Sequence, residues 1–109
     1  MHPLLLKQLP HITALCESHG VLRLELFGSA AGEKFQPETS DVDFLVELDT
    51  HTAGSRAKRW IALAEALEQL LGRHVDLVNP RYIRNPYFLA AVNASRVPLY
   101  DQQSAQTAA

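Results

Sequence analysis

Three acidic side chains and one small-residue pair are the positions in this sequence best suited to chemistry. Asp41-Val42-Asp43 opens an apolar stretch, Asp76 lies in a second such stretch, and Gly28-Ser29 closes a third. On a strand, alternate side chains share a face, so Asp41 and Asp43 would project together with Cβ atoms about 7 Å apart. Two carboxylates at that spacing repel and resist burial unless something positive sits between them. A divalent cation is the simplest such partner, and hard oxygen ligands suit Mg²⁺ or Mn²⁺. Asp-x-Asp alone is a common solvated strand start. Gly28-Ser29 upstream adds a reason to read more into it. Glycine lets the backbone approach a ligand closely, and a helix starting at Ser29 would offer N–H and hydroxyl donors to a phosphate. The plain alternative is a strand-to-helix turn with serine as the cap. A phosphate cradle followed by paired carboxylates describes a nucleoside-triphosphate site.

The elements that must position these residues are legible as patterns. Residues 3–19 read as a helix in one or two pieces, with Leu9, Ile12, Leu15 and Cys16 at helical spacing, Pro10 early in it, and Gly20 as its stop. Leu22–Phe27 alternates as a strand, residues 29–34 form a short helix, and Phe35 anchors the loop that follows. Val42–Leu48 is the second strand, whose distant Glu47 and Asp49 read as surface. Ser55 caps a long helix to Leu71 with Trp60, Ile61, Leu63, Leu67 and Leu70 on its apolar face, Trp60 being read as core. The third strand is His74–Val78, and strand–helix–strand of this length is a right-handed crossover with parallel strands. Parallel pairing sets Asp76 beside Asp41 and Asp43, and the first strand must run antiparallel to bring Phe27 near Asp41. His74 shares the face of Asp76. A last short helix covers Tyr87–Ala94, and Val97–Tyr100 is extended. The expected fold is α/β (α+β), a small mixed sheet with flanking helices. Residues 1–100 form one domain and residues 101–109 a weakly ordered tail.

Composition narrows the function classes. With 109 residues, 47% hydrophobic and 20% charged, the chain reads as one soluble globular domain. No apolar run approaches the about 20 residues a bilayer span needs, and no secretory leader is recognisable, so no membrane association is expected. Cys16 is the single cysteine, which excludes an intrachain disulfide and fits a cytoplasmic setting. A formal net charge of −2 argues against gripping a polynucleotide directly. The basic groups at Arg56, Lys58 and Arg59, and at Arg81 and Arg84, read as solvated surface.

Phe27-Gly28-Ser29 followed by Ser40-Asp41-Val42-Asp43-Phe44-Leu45-Val46 resembles the signature of the DNA polymerase β-like nucleotidyltransferases. More narrowly the chain resembles the minimal nucleotidyltransferase (MNT) family, with further matches at Gly72–Val78, Arg84–Tyr87 and Arg96–Tyr100. The resemblance implies a polymerase β palm-like fold and a Mg²⁺-dependent transferase using ATP, with two ions held by Asp41, Asp43 and Asp76 and with Gly28 and Ser29 on the phosphates. It also implies a partner: a HEPN-domain RNase toxin, silenced when AMP is transferred to one of its tyrosines, so that the MNT chain is the antitoxin. One departure stands out. Many members read Gly-Ser-x-Ala-Arg-Gly, whereas Gly32 stands here where arginine is usual, followed by Glu33 and Lys34. Lysine offers a point charge but no bidentate fork. The alternative is therefore a weak or inactive transferase that neutralises its partner by contact. An enzyme modifying a small molecule is a weaker third option, because such relatives carry a second domain for the acceptor.

Overall fold

A computed structural model describes the backbone of residues 1–32 and 35–107, and the side chains of those residues up to 104. Helix α1 (Pro3–Ser18) leads into strand β1 (Val21–Phe27), a single 3₁₀ turn (Gly28–Ala31) and strand β2 (Val42–Leu48). Helix α2 (Arg56–Leu71), strand β3 (Val75–Val78), a second 3₁₀ turn (Pro80–Tyr82), helix α3 (Pro86–Ser95), strand β4 (Val97–Asp101) and helix α4 (Gln102–Thr107) complete it. The sheet order is β3-β2-β1-β4. β1 runs antiparallel to β2 and β4, while β2 and β3 are parallel. The mixed sheet and the crossover follow the sequence pattern, and the extended segment at 97–101 becomes an edge strand.

Alternation along β2 divides the molecule into two cores. Val42, Phe44 and Val46 are fully buried with Ile12 and Cys16 of α1 and Leu63 and Leu67 of α2, so these two helices cover one face. Leu45 points to the other face and packs with Phe27 and with Val92 of α3 in a smaller cluster. α3 buries Val92 alone, leaving Tyr87, Phe88 and Leu89 exposed, so the second face is only partly covered. α2 is held at both ends: the Ser55 hydroxyl accepts from Lys58 N–H, and Gly72 closes the helix in the left-handed conformation.

Several local expectations are corrected. Pro10 lies inside α1, which starts at Pro3, at an exposed position. Ile61 is 59% exposed because the apolar stripe of α2 is narrower than its sequence suggests. Trp60 is partly buried against the main core rather than within it. The short helix expected over 29–34 is the 3₁₀ turn Gly28–Ala31, and Glu33 and Lys34 lie outside the described residues. Asp49 and Arg59, read as surface, are buried at 3% and 8% exposure. The stretch read as a tail carries α4, and Gln102 at its start donates to Asp49 Oδ2 at 2.7 Å. Among the described residues, no helix is long and apolar enough to cross a membrane.

Candidate active site

The register of the sheet gathers the acidic side chains. Phe27 pairs with Asp43 across the antiparallel ladder, and Asp43 pairs with Asp76 across the parallel one. The end of β1, the start of β2 and the start of β3 therefore meet on the partly covered face. Asp41, one residue before β2, completes the group: ligand atoms of Asp41, His74 and Asp76 all lie within 4.8 Å of one another, and all three residues are exposed.

The electrostatics show what is missing from this group. Partial burial, the charge of Asp76, a hydrogen bond shared with Asp76 and the charge of Asp41 together push the Asp43 carboxyl above its usual range. Among the described residues the one group of possible positive charge in contact is His74, whose Nε2 lies 2.9 Å from Asp76 Oδ1. Its Nδ1 lies 3.0 Å from Glu68 Oε2. The hydrogen bond to Asp76, then that carboxylate's charge, raises the His74 pKa, with smaller contributions from Asp41 and Glu68. One imidazole facing three carboxylates leaves the group short of positive charge, and the hard oxygen donors of the carboxylates suit a divalent cation.

The 3₁₀ turn supplies the remaining wall. Gly28 has φ +74°, and a Cβ placed there would lie 2.7 Å from Asp43 Oδ2, so only glycine fits between the turn and the carboxylate. Gly28 N–H donates to Ser95 Oγ at the end of α3 at 3.0 Å, which fixes the turn against that helix. Ser29 follows within the turn. One 3₁₀ turn has little macrodipole, so donors to a phosphate here are single N–H and hydroxyl groups rather than a helix end.

Three contributors carried no clear sequence signal for the roles they fill here. Arg73 Nη1 donates to Pro37 O at 2.7 Å and to Ser40 O at 3.4 Å, and its guanidinium stacks over Phe35 with the ring centroid 4.9 Å away. It thereby pins the loop that delivers Asp41. Glu68 reaches His74 from the last turn of α2, and Ser95 reaches Gly28 across 67 residues. Nothing in the local pattern of the chain announces contacts of that separation.

Comparison with known proteins agrees with the geometry. A family model described as a nucleotidyltransferase domain matches residues 11–98. A protein of Methanocaldococcus jannaschii, provisionally named a protein adenylyltransferase, is 41% identical over 78 residues, covering 71% of this chain and 75% of its own. A solved structure provisionally described as a minimal nucleotidyltransferase superposes with a TM-score of 0.68 at 33% identity, covering 87% of this chain and 92% of that one. A chain from the crystal structure of a toxin–antitoxin with AMP-PNP gives a TM-score of 0.61 at 25% identity, covering 91% of this chain and 78% of that one. The chain belongs to the nucleotidyltransferase domain family and, within it, to the minimal nucleotidyltransferases.

Proposed function

We propose that this nucleotidyltransferase is a Mg²⁺-dependent protein adenylyltransferase that moves AMP from ATP to a tyrosine of a HEPN-domain toxin and so acts as its antitoxin. The observation that carries the reading is the meeting of Asp41, Asp43 and Asp76 beside a glycine that a side chain would block. The provisional adenylyltransferase name of the archaeal relative and the toxin–antitoxin neighbour with AMP-PNP support it.

In this reading Asp41 and Asp43 would hold one magnesium ion, and all three carboxylates would hold a second. Bound magnesium would supply positive charge that offsets the triphosphate and eases the departure of pyrophosphate. Gly28 and Ser29 bind the β- and γ-phosphates. Asp76 accepts the proton of the tyrosine hydroxyl as its oxygen bonds to the α-phosphorus and the bond to the β-phosphate oxygen breaks. His74 is a positioning residue: gripped by Glu68 on one ring nitrogen, it fixes one oxygen of Asp76 with the other.

The test is incubation with α-labelled ATP, Mg²⁺ and a HEPN-domain protein that forms a complex with this chain. Label is expected on a tyrosine of the partner, reduced by more than about a hundredfold in Asp41→Asn or Asp43→Asn, since outer partners of a metal site are already worth about 10–100-fold. A second reading, an antitoxin that acts by contact alone, draws on Gly32. It replaces the arginine of the resembled family, and open space surrounds its Cβ position. A tight complex that never takes up label, with any nucleotide or metal, would establish that reading and end the first.

A further inference from the structure

At the far end of β2, about 17 Å along the strand from Asp43, lies a cavity of about 680 Å³ that shares no residue with the carboxylate group. That volume is in the range of sites for small molecules, roughly 300–1,000 Å³. Its apolar walls are Leu22, Leu48, Trp60 and Tyr82, two of them aromatic and contributed by different elements. The charged groups of its wall decide what it can take. Glu47 is paired with Arg81 at 3.4 Å. Asp49 is held by Arg59, Thr52 and Gln102. Both carboxylates are therefore already engaged, and a cationic guest would find neither free. The Arg56 guanidinium, by contrast, makes no ion pair or hydrogen bond among the described residues. It stands on the first turn of α2, where the helix end adds to its positive potential.

We propose that this cavity binds a small aromatic anion, its ring against Trp60 and Tyr82 and its acidic group on Arg56. Aromatic faces supply most of the contact area, and the guanidinium supplies the preference for a carboxylate or similar group. The site is separate from nucleotidyl transfer and does not depend on that activity.

Trp60 is the chain's single tryptophan, so its indole N–H gives one resonance in a proton–nitrogen correlation spectrum. Naphthoate and its uncharged amide, naphthamide, are titrated against the full chain. Naphthoate is expected to move the Trp60 resonance saturably and to bind about tenfold more tightly than the amide, the worth of one charge-assisted hydrogen bond. Arg56→Gln, whose dispersed spectrum reports a folded chain, is expected to erase that preference while leaving the amide's affinity in place. Asp41→Asn is expected to leave both titrations unchanged. The proposal is overturned if the Trp60 resonance stays still at millimolar naphthoate. Equal affinity for acid and amide would leave an apolar slot only, and a preference surviving Arg56→Gln would remove the assigned contact; either result rejects it.

Discussion

The two ends of β2 treat negative charge in opposite ways. At its start, Asp41 and Asp43 stand with Asp76 in an open group where carboxylates face carboxylates and one imidazole is the sole group of possible positive charge in contact among the described residues. Just past its end, Asp49 is 3% exposed, and every side of it is answered. Arg59 Nη1 lies 3.4 Å from Oδ1, Arg59 Nη2 donates to the Asp49 carbonyl at 2.9 Å, Thr52 donates through both N–H and hydroxyl, and Gln102 donates to Oδ2. Arg59 also donates to the carbonyls of His19 and Gly20, tying the end of α1 to α2. The buried charge is surrounded by donors, whereas the open carboxylates are left wanting a counter-ion. Burial alone would have ranked the two ends the other way round.

The largest effect should come from breaking the satisfied end. Arg59→Ala leaves Asp49 buried beside fewer donors and should cost about 3–5 kcal/mol in urea denaturation. A loss below about 1 kcal/mol would make the pair no different from an exposed one. Acid gives the next effect. Burial works against the Asp49 charge, but hydrogen bonds from Gln102 and Thr52 and the neighbouring His51 outweigh it and hold the carboxyl down to about 2. A carboxyl depressed in the folded state lends stability that is whole above its unfolded value near 4 and lost as pH falls towards 2. The wild type should therefore lose about 2 kcal/mol more than Asp49→Asn across that interval, read as the difference between their denaturation curves. The smallest effect belongs to the open end and has the opposite sign. Because the Asp43 pKa is raised in the fold, its stabilising form is the protonated one, and at neutral pH its charge is a cost. Asp43→Asn should raise the urea midpoint, a gain in stability of less than about 1 kcal/mol, in the same variant that is proposed to lose transfer. A lowered midpoint would show that Asp43 supports the fold after all.

What could be read from the sequence was what repeats at short range. Alternation in Leu22–Phe27 and Val42–Leu48, the Ser55 and Gly72 signals of α2, and the length of the crossover led to the antiparallel and parallel pairings. Those pairings in turn set Asp76 beside Asp43. The rest depended on contacts with no local trace. Arg59 sits on a helix whose neighbours Arg56 and Lys58 are exposed, and only the arrival of the loop at Asp49 and the turn at Gly20 encloses it. Gly20 is more than a helix stop, since a Cβ there would lie 2.5 Å from Arg59 Nη1. Likewise Ser95 and Arg73 act on the turn and the loop of the candidate site from distant parts of the chain, and Gln102 gains a role through Asp49 rather than through any pattern of its own.

The pairing of Asp43 with Asp76 has one more consequence. Val42 and Val75 are aligned by the same ladder, one step away, and both are buried beneath the helices. Sliding β3 by a single residue would drive Asp76 inward and expel Val75 to solvent, so greasy packing polices the position of the acids. The packing of the interior thus also fixes where Asp43 and Asp76 stand, while Asp41, one residue before the ladder, depends on the loop that Arg73 holds.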